Sequence, residues 1–283
     1  MKKAVLSMDV EDWFHLDYFD RKECDQNYSM MDGLEKYLNL INHYDLPSSF
    51  FVLGEIAEKK IEYFSSLSNS GYDISSHGWD HKRPMTMTLK EFENDIKKSH
   101  KVLSKINKNK KFGYRAPCFS LDKERADLLK RSGFNYSSSR INFVNHPLYG
   151  SLEMDQYEKV NKFIYKKEDF LEFELSTTEI YKKTLPICGG GYLRILPWHI
   201  MKKLVNDYLI KEEVFFFYIH PFELSNKNPP KKPYSASRMS DFRFKYNLKK
   251  VETKFKKLLD LIDKNGYEFS DFKEIHKEIL NKS

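Results

Sequence analysis

Residues 74–81 read Ile-Ser-Ser-His-Gly-Trp-Asp-His, which places two histidines, His77 and His81, four positions apart. The residues just before them, 72–76, are predicted to form a short buried strand. Neutral imidazoles at this spacing can face one point if the chain curls through about one turn, and a divalent metal ion commonly occupies such a point. The pair alone is a weak signal in a chain with nine histidines. A catalytic metal also needs a third ligand, usually a carboxylate, from elsewhere in the chain.

Candidate carboxylates follow the first apolar run of the chain. Residues 4–8 are predicted to form a buried strand, and the sequence then continues as Asp9-Val10-Glu11-Asp12. Strands of α/β barrels present catalytic groups at their C-terminal ends in this way. Carboxylates this close repel one another unless a cation or a base role offsets the repulsion, which makes a plain polar turn the weaker interpretation.

The remaining chain alternates predicted strands and helices, and polar residues recur at strand ends. Residues 49–54, 112–114 and 134–137 are predicted strands, and Arg115 follows the second of these. The clearest strand, Val214–Ile219, ends at His220. Helices are predicted over residues 30–44, 55–67, 88–106 (with Thr88 as N-cap), 121–132, 197–209, 251–264 and 271–280. This order predicts a parallel sheet that collects the polar residues at one end.

Two regions are harder to assign. Between residues 138 and 184, the aromatic segments 162–166 and 170–175 fit strands or hairpins, and residues 226–240 are expected to form a loop. The glycine run at 189–191 lacks the spacing of a phosphate-binding loop, so we expect it to let the backbone bend or approach a ligand closely. Trp13, Tyr192 and Trp198 are candidate sugar platforms, although plain packing explains them equally well. No linker divides the chain, and residues 1–283 are predicted to form a single domain.

Composition narrows the class of protein. With 40% hydrophobic and 15% aromatic residues the chain is expected to be globular. The net charge of +7 comes from short, scattered lysine runs, which argues against nucleic-acid binding but remains compatible with an anionic substrate or a membrane surface. Three well-separated cysteines indicate a reducing compartment. Without a predicted signal peptide or membrane span, we expect a soluble cytoplasmic protein.

Four motifs together resemble those of the polysaccharide deacetylase family, carbohydrate esterase family 4, also called the NodB-homology fold. They are Asp9-Val-Glu11-Asp12, His77-x-x-x-His81, Arg115-x-Pro117 and the strand-ending His220, in this order between about residues 4 and 221. The Asp-Val-Glu-Asp-Trp-Phe and Gly-Gly-Gly-Tyr-Leu-Arg sequences look like those of a cytoplasmic branch tied to surface-polysaccharide biosynthesis. The resemblance implies an α/β fold, a distorted and incomplete (β/α) barrel that is TIM-like and seven-stranded.

The resemblance also implies roles for individual residues. Asp9 would be the general base and His220 the general acid, while Arg115 would orient Asp9. The backbone amide of Cys118 would stabilise the tetrahedral oxyanion.

A divalent metal would be held by His77, His81 and an acid. The family motif has adjacent acids whereas Val10 follows Asp9 here, so the ligand is open between Glu11, favoured by strand alternation, and Asp12, favoured by a turn at Val10. Zinc is the first expectation, with cobalt, nickel or iron also fitting these ligands. No acid that would tune His220 is evident near residues 189–198, and burial is one alternative.

The implied activity is removal of an N-acetyl, or related acyl, group from a sugar in a cell-surface glycan precursor. Two alternatives stay open: cyclic-amide or formyl hydrolysis on the same scaffold, and a catalytically inactive carbohydrate-binding protein. The expected partner is an N-acylated sugar or glycan precursor rather than nucleic acid, and an integral membrane protein is not expected. The sequence does not determine the oligomeric state.

Overall fold

The computed structural model describes residues 2–108, 111–143 and 146–282. Its strands are β1 (Lys3–Val10), β2 (Ser49–Val52), β3 (Asp73–Ser76), β4 (Tyr136–Ser137), β5 (Glu158–Asn161), β6 (Ile164–Lys167), β7 (Phe170–Phe173), β8 (Thr177–Ile180), β9 (Lys183–Pro186), β10 (Val214–Ile219) and β11 (Glu268–Ser270). Its α-helices are α1 (Asp32–His43), α2 (Gly54–Lys59), α3 (Ile61–Asn69), α4 (Leu89–Ile106), α5 (Lys123–Arg131), α6 (Gly190–Ile195), α7 (Trp198–Lys211), α8 (Pro221–Leu224), α9 (Arg238–Lys245), α10 (Val251–Lys264) and α11 (Phe272–Asn281).

The central sheet is parallel and is built around β1. Strand β10 pairs with one edge of β1 from Lys3 to Met8, while β11 and then β2 share its other edge. Strand β3 continues the sheet beyond β2. Because both edges of β1 are paired and both faces are covered, its residues from Ala4 to Val10 are buried, as expected for a central strand of a parallel sheet.

Beyond β3 the sheet curls round through isolated parallel bridges. Tyr114 bridges Ser76 on one side and Ser137 on the other, and β4 then pairs in parallel with β7. At the opposite edge, Tyr218 of β10 is bridged by Gly189. The predicted α/β fold with a distorted, incomplete barrel is confirmed, and the described residues form no closed barrel. The predicted strand at 112–114 is reduced to the single bridging residue Tyr114.

Most helices begin and end close to their predicted bounds. Thr88 caps α4 as predicted, since its side chain accepts from the Glu91 amide while the Glu91 side chain accepts from the Thr88 amide. The single helix predicted over 55–67 is instead two helices, α2 and α3, because the backbone of Lys60 leaves the helical region (φ −134°, ψ 40°).

Within residues 158–186, the two aromatic segments for which strands or hairpins were expected, 162–166 and 170–175, overlap β6 and β7. Strands β5, β6 and β7 form an antiparallel meander, and β8 and β9 form a separate hairpin. The expected loop at 226–240 ends early, because residues from Arg238 onward form α9. Within the described ranges, no helix combines the length and the apolar character needed to cross a bilayer.

Candidate active site

The predicted site residues converge at the C-terminal edge of the parallel sheet. Asp9 lies near the end of β1, His77 directly follows β3, and His220 directly follows β10. A cavity of about 290 Å³ opens at this edge. The residues that line it include six of those predicted from the sequence: Asp9, Glu11, His77, His81, Cys118 and His220. Arg115 lies behind them and is fully buried.

Glu11, His77 and His81 form a cluster suited to a divalent metal. One ligand atom from each lies within 4.8 Å of the others, and all three side chains are buried. Glu11 Oε2 is 2.9 Å from His81 Nε2, yet it has no hydrogen-bond partner among the described residues. An orphaned carboxylate oxygen beside two imidazoles is the donor arrangement of a histidine–carboxylate metal site.

A backbone contact fixes the orientation of His77. Its Nδ1 lies 2.8 Å from the carbonyl oxygen of Arg115, to which it donates, so Nε2 is left free to act as a ligand. His81 is oriented from its Nδ1 side, which is 3.5 Å from Asp17 Oδ2. The residues present therefore fit a divalent metal, with zinc as one suitable ion.

The pKa shifts in this cluster favour a bound positive charge. Burial acts to raise the pKa of Glu11, but the hydrogen bond and charge of His81, with the charge of His220, outweigh it and lower that pKa to about 2. Burial lowers the pKa of His77 to about 4, so its imidazole is neutral at physiological pH. For His81, burial is outweighed by Glu11 and Asp17, which raise its pKa. The Glu11 carboxylate thus attracts a cation to this point, either as a proton on His81 or as a metal ion.

Asp12, the other acid that the sequence left open as a ligand, has a different environment. Its Oδ1 accepts from the Trp13 amide at 2.9 Å and the Met30 amide at 2.8 Å, and it caps the short 3₁₀ turn Trp13–His15. The described residues bring Glu11, and not Asp12, together with His77 and His81. Strand β1 ends at Val10, where the Glu11 amide donates to the carbonyl oxygen of Asp9 at 3.0 Å, so the backbone already turns at Val10 and Glu11 still reaches the two histidines.

Asp9 and Arg115 form a buried ion pair beside the cluster. Arg115 Nη1 lies 2.7 Å from Asp9 Oδ1 and also donates to Ser7 Oγ at 2.9 Å. The other side of the guanidinium donates to the carbonyl and hydroxyl oxygens of Ser138, at 3.1 and 2.9 Å. Its face lies 4.0 Å from the ring of Phe51. With its hydrogen bonds and packing satisfied, Arg115 holds the Asp9 carboxylate in one position.

Cys118 lies on a strained turn at the edge of the cavity. Its backbone is left-handed (φ 52°, ψ 27°), and the next residue, Phe119, also has a positive φ. Two backbone hydrogen bonds close this turn, from Phe119 to Ala116 and from Ser120 to Pro117, and neither uses the Cys118 amide. The Cys118 thiol donates to Asp17 Oδ2 at 2.7 Å, and burial with the nearby Asp17 raises its pKa well above the usual range. The thiol is therefore not a nucleophile at neutral pH.

His220 is tuned by an acid that the sequence analysis did not find. Its Nδ1 lies 3.1 Å from Glu223 Oε2, and Glu223 Oε1 is 2.7 Å from Arg194 Nε. Burial lowers the pKa of His220, but the hydrogen bond and charge of Glu223 outweigh it and raise the pKa to about 9. Burial alone therefore does not account for the raised pKa of His220. The available signal was the His-Pro-Phe-Glu spacing, in which His220 and Glu223 form a capping box at the start of α8.

The glycine run makes room for that acid. A Cβ at residue 190 would lie 2.0 Å from Glu223 Oε2, and a Cβ at residue 189 would lie 2.8 Å from the Tyr218 ring. The run also starts helix α6, which carries Arg194 towards Glu223. The backbone of the glycine run does approach other groups closely, as predicted, but those groups are side chains of the site rather than a ligand.

A second cavity of about 320 Å³ adjoins the first and shares its lining at His220, Tyr149 and Tyr218. Tyr192 lines this second cavity, so it remains a candidate sugar platform. Trp13 does not line either cavity, because it is buried in a hydrophobic cluster with Phe19 and Phe244. Trp198 lies outside both linings as well, with its ring near the Lys257 ammonium. Packing is therefore the better explanation for both tryptophans.

Two protein-family models match consecutive parts of the chain. The model described as polysaccharide deacetylase matches residues 24–137, and the model described as a domain of unknown function (DUF3473) matches residues 138–277. The first covers β2, β3 and both histidines of the cluster. The second covers Glu223, Arg194 and His220.

The chain is also similar to curated deacetylases. It is 25% identical over 177 residues to a peptidoglycan deacetylase of Helicobacter pylori, a match that covers 62% of this chain and 59% of that protein. It is 28% identical over 71 residues to a peptidoglycan-N-acetylglucosamine deacetylase of Bacillus cereus, which covers 25% of this chain and 26% of that protein. The matches thus span less than two thirds of the length of either relative.

Solved structures share the fold across nearly the whole chain. A protein assigned as a polysaccharide deacetylase from Mycobacterium smegmatis superposes with a TM-score of 0.61 at 14% identity, covering 99% of this chain and 91% of the other. A CE4 family pseudoenzyme from Bacillus anthracis gives a TM-score of 0.53 at 10% identity, covering 98% and 66%. At such low identities the likeness establishes the fold alone.

Proposed function

The chain belongs to the polysaccharide deacetylase family, and on that premise we propose that it is a metal-dependent hydrolase that removes an N-acetyl, or related acyl, group from a sugar of a cell-surface glycan precursor. One observation carries the proposal. The three-ligand cluster of Glu11, His77 and His81 opens onto the same cavity as a carboxylate, Asp9, and an imidazole, His220.

The cluster would hold the metal, and Asp9 would act beside it. A divalent ion bound there would polarise the acyl carbonyl and lower the pKa of water. Asp9 takes the proton from the attacking water as the new C–O bond forms. Arg115 holds the Asp9 carboxylate in place, which prepares it for this transfer at no cost in reorganisation.

The turn at Cys118 would stabilise the charge that develops on the carbonyl oxygen. The amide of Cys118 is not used by the hydrogen bonds that close its own turn, and the residue lines the cavity. A preorganised backbone N–H aimed at a developing oxyanion contributes about 3–4 kcal/mol to catalysis. The left-handed backbone at Cys118 is an outlier of the kind that clusters at active sites, which supports this role.

His220 would complete the reaction as general acid. Its raised pKa of about 9 keeps the imidazole protonated at neutral pH. When the C–N bond breaks, the imidazolium gives its Nε2 proton to the departing sugar amine, while Nδ1 stays hydrogen-bonded to Glu223. The products are a carboxylic acid and the free amino sugar.

The residues of the site argue against one alternative, an inactive carbohydrate-binding protein. The other alternative, cyclic-amide or formyl hydrolysis, requires an assay. The pseudoenzyme among the structural neighbours shares only the fold, and an intact Asp9–Arg115 pair next to a complete ligand cluster favours catalysis over binding alone. Cyclic-amide or formyl hydrolysis would use the same residues, so only assays with the different substrates can distinguish these activities from deacetylation.

The test is a screen for acetate release from N-acetylated hexosamines, with parallel cyclic-amide and formyl substrates. The protein is loaded in separate samples with zinc, cobalt, nickel or iron. We expect acetate from an N-acetylhexosamine substrate and a loss of about 10²–10⁴-fold in kcat for Asp9→Asn. An Asp9→Asn variant with wild-type turnover and unchanged metal content would refute the proposed role.

A further inference from the structure

Arg243 is a cation at the mouth of the site, and the described part of the chain gives it no ionic partner. It lies on α9 and lines both the 290 Å³ cavity and the adjoining 320 Å³ cavity, so it faces the space on either side of His220. Its guanidinium has no hydrogen bond or ion pair with any residue of the described ranges 2–108, 111–143 and 146–282. An arginine held over a cavity without a carboxylate is free to bind an anion from outside.

The carboxylates that line the two cavities, in contrast, all have cationic or imidazole partners within the described chain. The pairs and their N–O distances are Asp9 with Arg115 (2.7 Å), Glu11 with His81 (2.9 Å), Asp17 with Arg83 (3.3 Å) and Glu223 with Arg194 (2.7 Å). Among the described lining residues, no acid is left over to neutralise Arg243, so its charge is in excess over theirs.

The backbone of Arg243 is fixed even though its side chain is exposed. The buried Arg194 donates from Nη1 to the carbonyl oxygen of Arg243 at 2.7 Å and to that of Phe244 at 3.1 Å. Arg194 is the same residue that holds Glu223 against His220. The position of Arg243 is thus tied to the position of the proposed general acid.

Aromatic rings surround the space that Arg243 faces. Tyr18, Tyr149 and Tyr192 line the second cavity, and the imidazole of His146 stacks on Tyr149 with ring centroids 3.8 Å apart. His146 and Arg243 line the same two cavities, and the charge of Arg243 adds to burial in lowering the pKa of His146. Flat rings with phenol hydroxyls suit the faces and hydroxyls of a sugar, but they leave the positive charge without a partner.

We propose that Arg243 binds an anionic group, a phosphate or a carboxylate, carried by the acylated sugar or by the residue attached to it. This inference rests on the proposed function and narrows its substrate class to acidic glycan precursors. A planar guanidinium accepts either anion in a bidentate contact, and the surplus of positive charge on the whole chain (+7) favours the approach of such a substrate.

The test measures binding rather than turnover. Metal-loaded protein is titrated by calorimetry with N-acetylglucosamine, N-acetylglucosamine 1-phosphate and N-acetylmuramic acid, which are neutral, phosphorylated and carboxylated. We expect at least one acidic sugar to bind about ten-fold more tightly than the neutral sugar, as a charge-assisted bidentate contact would give. Which acidic sugar gains affinity identifies the anion.

Two variants of α9 make the test specific. Arg243→Gln should abolish the preference for the acidic sugar, whereas Arg238→Gln, which removes the same charge from the first residue of the same helix but lines neither cavity, should preserve it. The proposal is overturned if the wild type shows no preference, if the preference for the acidic sugar survives in Arg243→Gln, or if both variants lose it equally. Acetate release from the neutral sugar is measured separately, so a failure of the deacetylase assignment remains distinguishable.

Discussion

The Glu223 carboxylate lies 3.1 Å from Nδ1 of His220 and occupies the space that a side chain at residue 190 would need. The other oxygen of the Glu223 carboxylate accepts a hydrogen bond from Arg194. Glu223 and Arg194 are buried behind His220, the proposed general acid, and the three side chains form a hydrogen-bonded chain of alternating charge.

The first prediction concerns the pH dependence of activity. The pKa of His220 is raised from 6.5 to about 9, so the general acid is protonated below that pH and activity should fall as the pH rises through it. Glu223→Gln removes the charge that raises this pKa. The alkaline limb of the pH–kcat profile should then move to lower pH by about 1–3 units. A profile with an unchanged alkaline limb would show that Glu223 does not tune the acid.

A second prediction uses neighbouring glycines. In Gly190→Ala the new methyl group must displace the Glu223 carboxylate from Arg194 and His220, so we expect a destabilisation of about 1–3 kcal/mol and a pH profile that resembles that of Glu223→Gln. Gly191→Ala is the matched control, because no atom lies within 4 Å of a Cβ built there. Denaturant unfolding and the pH–kcat profile measure the two effects. Equal behaviour of the two variants would contradict the steric argument.

The third prediction concerns a buried acid away from the site. Glu172 on β7 accepts through Oε1 from the amides of Ser139 and Arg140, at 2.7 and 2.8 Å, while Oε2 is buried without a hydrogen-bond partner among the described residues. Burial raises its pKa from 4.5 to about 7. The folded protein thus keeps a proton that the unfolded chain loses at lower pH.

The free energy of unfolding should consequently fall as the pH rises from about 4.5 to about 7, and this contribution should then level off. Glu172→Gln imitates the protonated acid at every pH. Relative to the variant, the wild type should lose roughly 3 kcal/mol across that interval. Urea unfolding at a series of pH values measures the difference, and a difference that is constant with pH would exclude a protonated Glu172.

The sequence predicted the parallel sheet and its polar edge because those features depend on local patterns. The apolar run Val214–Ile219 has the bounds of β10. Glu11 and His77, which directly follow β1 and β3, are two of the proposed metal ligands, and His220, which directly follows β10, is the proposed general acid. Such runs are buried on both faces, which makes their ends easy to read from hydrophobicity.

The remaining features depend on contacts that no local pattern encodes. Glu223 and Arg194 meet from different helices, and the glycine that admits them looks like a flexible turn in the sequence. Strand β5 is largely exposed, so it lacks the apolar alternation that marks a half-buried strand. Helix α9 buries only Phe244, which leaves it without a helical stripe although it carries Arg243 to the cavity.

The most direct test of the central claim is the metal content of three forms of the protein: wild type, Glu11→Gln and Asp12→Asn. Each is dialysed against the same limiting concentration of zinc and measured by plasma mass spectrometry, with thermal unfolding as a check of folding. We predict one ion per wild-type chain, a strong loss in Glu11→Gln, and retention in Asp12→Asn, whose side-chain oxygen can still accept from Trp13 and Met30. Full metal content in a folded Glu11→Gln protein, or its loss in Asp12→Asn alone, would contradict the account.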